Sequence, residues 1–458
     1  VTEETEPRSL RDFLQENLPE LSVGSNEEAI SSDAEVRRLG KQFYAAFSSK
    51  VGKLRDAPER FPPQVYKALK AWGVHQTRDV DPEFQSLSNL LLERVSKLAG
   101  HKFGFWQDVR EMLWKPAEAL RDAGAKFDPD QLTAEWIEAI KQRIAYQSTY
   151  QGGCYLFSSN LVRERVDVGP LRILIGANVE WAGSAYKELN DKALAKDRPK
   201  SPVPFGIAPA TWLIRLPASR SGFRSAMRWY VDIFVSLMRL GGVRYLNAPP
   251  LGYVEADPFT YEEHISGGVQ IANHGACYVG ANDQVFYYSL LAEGVDDIRA
   301  AQFQGRYDAL VNAPPDSVGE RLAHAFAWMS RARRQRDQET RLLFFSTAIE
   351  SLLSAQADRG APVTDTIARS ASVLIASDPI ERLKVYRYAK RLYGRRSAVA
   401  HRGESNISEG EAIEIQSIAE QIGKRILGTV DLGEKHETIR DKLLEASFGS
   451  PWQPSADL

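Results

Sequence analysis

Apolar positions recur at helical spacing through the first third of the chain. They break into short β-rich runs in the middle and return to helical spacing for the rest. Residues 1–32 are polar and weakly patterned, and read as a docking arm. Residues 33–145 read as helical. Phe84, Leu87, Leu90, Leu91, Leu92, Val95 and Leu98 form a stripe at mixed three and four spacing. A further helical pattern, Phe105 to Leu120, is interrupted at Pro116, and Asp128-Pro129-Asp130 opens a helix toward Tyr146.

Between Tyr146 and about residue 290 the texture is α+β. Strands are expected at 153–157, 171–175, 211–216, 243–246, 270–272, 277–279 and 285–288, with one helix from Phe223 to Leu240. Ala313-Pro314-Pro315-Asp316-Ser317 closes this 146–316 region, because two prolines stop a helix and Ser317 can cap the next. Over 317–430 five apolar stripes follow. They are Phe326 and Met329; Leu342, Phe345, Ile349, Leu352 and Leu353; Ile367, Ala371, Leu374 and Ile375; Leu383, Tyr386, Ala389 and Tyr393; and Ile415, Ile418, Ile422 and Ile426. Short connections make neighbours antiparallel, so an up-and-down bundle is expected. Residues 431–458 read as a last helix and a loose tail. The fold class expected is therefore α+β multidomain: a helical plus mixed α+β N-terminal region ahead of an all-α antiparallel bundle.

Composition narrows the function classes. The 458 residues carry a net charge of −2, so any affinity for a polyanion must come from local charge. Cys154 and Cys277 alone exclude a disulfide framework, and a reducing cytoplasm is expected. No apolar run approaches the roughly 20 residues of a membrane span, and the acidic opening Val1-Thr2-Glu3-Glu4-Thr5-Glu6 carries no secretory pattern. No membrane partner is expected.

Local charge is concentrated in one stretch. From Glu381 to Arg402 there are eight cations, Arg382, Lys384, Arg387, Lys390, Arg391, Arg395, Arg396 and Arg402, against Glu381 alone. Arg387, Arg391 and Arg395 share a helix face that could follow an RNA backbone, with Lys384 and Arg402 beside it. A solvated face is the competing reading. Arg396 can bind phosphate, and His401 can exchange a proton near neutral pH. Residues five apart on a continuous helix diverge by roughly 140°, whereas Ser397 and His401 share a face. Convergence of Arg396 and His401 needs a helix break, a curled arginine or a second chain. Gly403 marks a helix end.

Arg396-Ser397-Ala398-Val399-Ala400-His401 resembles the Arg-x4–6-His hallmark of the HEPN superfamily, and within it the ApeA-like HEPN ribonucleases. Leu392-Tyr393-Gly394-Arg395-Arg396-Ser397 is similar to the family's Leu-Tyr-x-x-Arg-Ser run. Ala348-Ile349-Glu350-Ser351-Leu352-Leu353 resembles its earlier acidic helix, and Ile367-Ala368-Arg369-Ser370 its intervening one. The chain departs at Arg402, where glycine is common, with Gly403 one place later. The resemblance covers about residues 317–430. It implies an endoribonuclease without metal or other cofactor, in which the ribose 2′-OH attacks the adjacent phosphate. His401 would move the proton and Arg396 would stabilise the phosphorane. Ser397 or Arg395 would position the phosphate, Glu350 would hold Arg396 or His401 in place, and the bundle would form a homodimer. The alternative it leaves open is a non-catalytic dimerisation or RNA-binding module. By analogy with bacterial antiphage and toxin proteins, the first 316 residues would sense a trigger, hold the nuclease in check or select its RNA, and a phage-derived trigger or an antitoxin is a further candidate partner.

Other constellations carry less. His264, His274 and Cys277 lack the close second pair of a metal site. Gly152-Gly153, Gly241-Gly242 and Gly267-Gly268 sit in no phosphate-loop frame. The aromatic group Tyr245, Tyr253, Phe259, Tyr261, Phe286, Tyr287 and Tyr288 is expected to be core packing.

Overall fold

The computed structural model describes residues 27–55, 82–99, 112–113, 128–144, 147–154, 164–175, 210–217, 223–258, 267–272, 275–280, 285–354, 363–403 and 405–452. The expected helix over 105–120 falls almost wholly outside them. Contacts divide the chain into two units, Glu20–Tyr150 with Arg215–Arg228, and Val1–Pro19, Gln151–Ile214 and Trp229–Leu458.

The first unit is helical. It contains α1 (Glu27–Ser32), α2 (Ala34–Arg55), α3 (Pro82–Ala99) and α4 (Pro129–Ile144). Ile30, Val36, Phe43, Leu91, Val95, Trp136 and Ile140 close its core. The stretch read as a polar arm thus ends in a helix, because Ile30 is apolar enough to be buried. Leu91, Leu92 and Val95 of the expected stripe are buried, while Leu90 is exposed. Asp128 accepts a hydrogen bond from the Asp130 amide and opens α4 as its sequence suggests.

The limits between the two units at 150/151, 214/215 and 228/229 fall inside elements. Strands follow along the chain. These are β1 (Gln147–Cys154), β2 (Glu164–Val168), β3 (Leu171–Ile175) and β4 (Ala210–Pro217), in sheet order β1-β4-β3-β2. β2 and β3 pair antiparallel, as do β3 and β4. Then come α5 (Phe223–Leu240), β5 (Tyr245–Asn247), β6 (Val254–Glu255), β7 (Gly267–Ala272), β8 (Gly275–Gly280), β9 (Val285–Phe286) and β10 (Ser289–Leu290). β5 pairs β10 and β7 pairs β8 antiparallel, while β6 and β9 run parallel. Two helices follow, α6 (Ala292–Arg299) and α7 (Ala301–Val311).

The five expected stripes lie on α8 (Val318–Arg333), α9 (Gln338–Leu353), α10 (Val363–Ile375), α11 (Pro379–Arg402) and α12 (Glu409–Thr429), and α13 (His436–Ser447) follows. Their starts follow from local chemistry. Ser317, Asp337, Asp378 and Ser408 each cap the helix that follows, and Ser408 forms a reciprocal capping box with Glu411. α8 packs on α9, α10 on α11 and α9 on α12. Residues 317–430 are not a unit by themselves. The Ser236 hydroxyl of α5 donates to the Phe326 carbonyl of α8 at 2.6 Å, and His436 of α13 meets the Leu352 carbonyl at 2.6 Å. No helix among the described residues is long and apolar enough to cross a membrane.

Candidate active site

α11 carries the Arg396–His401 stretch and is one uninterrupted helix. Asp378 caps its start, accepting from the Ile380 and Glu381 amides, and Pro379 sits where a missing N–H does no harm. It ends one residue beyond His401, at Gly403 in the left-handed conformation (φ 66°). A break between Arg396 and His401, one of three routes to their convergence, is absent. Only Ala389, Leu392, Tyr393 and Ala398 of its residues are buried, so a narrow face holds a long polar helix.

That face makes two rungs with α9. The Tyr393 hydroxyl donates to the Ser346 carbonyl at 3.0 Å, and Arg396 Nη2 donates to the Glu350 carboxylate at 3.1 Å. The partner numbers rise together, so α9 and α11 run parallel, as up-and-down alternation requires. Burial pushes the Glu350 carboxyl above its ordinary range, and Arg396 only partly offsets this. Arg396 Nε is buried without a hydrogen-bond partner. The guanidinium is thus held from one side by a reluctant carboxylate and retains an unused donor.

His401 is exposed, in the last helical turn, where a cation complements the carbonyl end of the helix dipole. Neither its ring nor the Ser397 hydroxyl has a partner among the described residues, and both side chains face solvent. Within one chain, Arg396 turns toward α9 and His401 turns away.

The basic row is largely spoken for. Arg391 pairs with Glu414 at 2.6 Å and lies over the Tyr388 ring. Arg395 pairs with Glu411 at 3.0 Å and also binds Asn406. These partner numbers run in opposite senses, so α11 and α12 are antiparallel. Lys384 pairs with Glu381 at 2.6 Å. Arg387 is exposed with no partner among the described residues, and Arg402 is exposed near the helix end. The row therefore offers less free charge than its sequence implies, because α12 supplies acids that no local pattern in α11 reveals.

A second polar constellation was not legible in the sequence. Glu255, Tyr288, Arg239, Arg333, Arg341, Gln416 and Glu420 meet in the interior. Arg333 reaches Glu255 at 2.9 Å, Arg239 reaches Glu420 at 2.8 Å, and the Tyr288 hydroxyl donates to Glu255 at 2.6 Å. Arg341 and the Gly252 amide both donate to Gln416 Oε1. Gly252 has φ 88°, and a Cβ there would come within 2.5 Å of Ile413. Burial alone would push the Glu255 carboxyl up, but Arg333 and Arg239 outweigh it and hold it low. Arg341 is pushed down to about 10 by burial. These residues lie far apart in sequence on α5, β6, α8, α9 and α12, so the cluster fastens the α+β segment to the bundle. Tyr288 of the expected aromatic core is fully buried, whereas Tyr253 and Tyr287 are exposed. His264, His274, Phe259 and Tyr261 lie outside the described residues.

No family model, no curated protein and no solved structure matches this chain. The chemistry of the site therefore rests on its own residues.

Proposed function

We propose that the protein is an endoribonuclease of HEPN type, acting through Arg396 and His401 of two chains. What carries this reading is the pairing of a part-exposed arginine, anchored by Glu350, with an exposed histidine that has no partner among the described residues, both on α11. Because α11 is continuous, the two side chains diverge by roughly 140°. A second copy that brings its α11 alongside would set one chain's Arg396 beside the other's His401.

The reaction is an internal transfer. The ribose 2′-oxygen forms a bond to phosphorus, the bond to the 5′-oxygen breaks, and the products are a 2′,3′-cyclic phosphate and a 5′-OH. One imidazole takes the 2′-OH proton and the other protonates the departing oxygen. Arg396 stabilises the charge on the phosphorane, with Glu350 and Tyr393 fixing its position. Ser397 shares the His401 face and is placed to hold a phosphate oxygen. Arg395 secures the turn between α11 and α12, while Arg387 and Arg402 guide the RNA, joined by Arg391 and Lys384 where the RNA displaces Glu414 and Glu381. The N-terminal region would hold the nuclease in check or select its target, in the manner of a toxin or defence effector.

The test is cleavage of mixed cellular RNA in excess chelator. The expected result is cyclic phosphate ends from the wild type and none from His401→Ala or Arg396→Ala. Mixed dimers of the two variants hold a single imidazole and should stay inactive, and light scattering should show a dimer. The second reading, a non-catalytic module, is favoured by the ion pairs of Arg391, Arg395 and Arg396. It predicts RNA binding or dimerisation that is unchanged in both variants and no cleavage by any of them.

A further inference from the structure

A groove of about 710 Å³ opens near the start of α11, at the far end from His401. Arg382, its landmark, lies ~21 Å along the helix axis from Arg396 at 1.5 Å per residue. The last turn of α10, the last two turns of α12 and the Pro451-Trp452 segment form its walls. Its polar lining includes Ser377, Arg382, Lys424, Arg425, Thr429 and Trp452, with Gln421 beside them, and no acidic side chain is among the described residues that line it.

The cations there are not used up. Arg382 caps two helix ends, donating through Nε to the Ala376 carbonyl and through Nη1 to the Ala446 carbonyl, which leaves Nη2 open. The Lys424 and Arg425 side chains have no ion-pair partner among the described residues. Trp452 Nε1, which can only donate, is buried without an acceptor. Such an unmet donor costs about 1–3 kcal/mol unless something accepts from it. The carbonyl ends of α10 and α12 also reach the groove, but each contributes only about half a negative charge, against three full cations.

We propose that this groove binds a small phosphorylated ligand of about nucleotide size. Its phosphates would lie on Arg382, Lys424 and Arg425, and Trp452 would cover one face. The volume falls in the range of small-molecule sites. Enclosure between three helix ends favours a compact ligand over a polymer backbone. Gln421 keeps its Oε1 free, since its Nε2 is given to Ser417, and can accept from a ligand hydroxyl or amino group.

Calorimetric titration of the full chain with pyrophosphate and with ATP tests the site without reference to cleavage. Saturable binding is expected, weakened at least tenfold in the double variant Lys424→Ala, Arg425→Ala. Gly428 lines the groove, and a Cβ there would meet no atom within 4 Å, so Gly428→Leu should block binding while the thermal midpoint is held or raised. Absence of binding by both probes in the wild type would overturn the proposal. So would affinity unchanged in both variants, or binding of single-stranded RNA but of neither small probe.

Discussion

Two arginine–carboxylate constellations in this protein use the same side chains to opposite ends. Around Glu255 the charges are buried, shared among several elements and surrounded by further donors, and Arg333 is wholly inaccessible. At Arg396 there is one carboxylate, the guanidinium is part exposed, and a histidine with no partner among the described residues follows on the same helix. Charge buried on every side acts as a fastening, because removing one member strands the rest. Charge held from one side remains available to a ligand.

The sharpest way to break this contrast is Glu255→Gln. It leaves two buried arginines, Arg333 and Arg239, to share Glu420 and should cost about 3 kcal/mol, read as a lowered urea midpoint. A loss too small to measure would remove the cluster from its fastening role. His401→Ala should do the reverse, cutting RNA cleavage by about 10²–10⁴-fold while changing stability by less than about 0.5 kcal/mol. If unfolding midpoint and activity fell together, His401 would belong to the fold.

His436 sharpens the comparison at a third site. Burial and the nearby Arg321 and Arg440 lower its pKa from 6.5, against the Leu352 carbonyl and Asp316. The unfolded chain therefore takes up this proton first. Stability conferred by the neutral ring is complete above 6.5 and is lost as pH falls through the lower, folded value. Thermal midpoints should drop over that interval in the wild type and less in His436→Gln. The smallest effect is expected at Asp365, where Tyr386, Lys390 and Arg369 depress the carboxyl to about 2. Its contribution is present above the ordinary value of 3.8 and disappears as pH falls through about 2. Asp365→Asn should flatten that part of the acid-unfolding curve, but only slightly, since exposed pairs contribute about 0–1 kcal/mol.

Much of the bundle was legible because helix signals are local. Asp378-Pro379 starts α11, Gly403 ends it, and each apolar stripe repeats within a few residues. α5 was likewise read from its apolar pattern alone. β2 was missed because Glu164–Val168 alternates charged and apolar residues over too short a run to stand out, and β6 is two residues long. At the candidate site, the family resemblance of the Ala348–Leu353 run led to Glu350 being expected beside Arg396 or His401, and it meets Arg396. The pairing of Arg391 and Arg395 with Glu414 and Glu411 was not, since nothing in either helix specifies which face meets the other.

The sequence by itself determined where helices begin and end, which faces are apolar, and that one helix gathers most of the local positive charge. Capping, periodicity and formal charge are set by neighbours within a few positions. Only the tertiary structure decided which charges remain available. It withdrew Arg391 and Arg395 into ion pairs, drew Glu255 and Arg333 together from distant segments, and left His401, Lys424 and Arg425 without partners among the described residues. An ionic side chain's availability depends on what packs within a few ångströms of it, and that is a property of folded space, not of position along the chain.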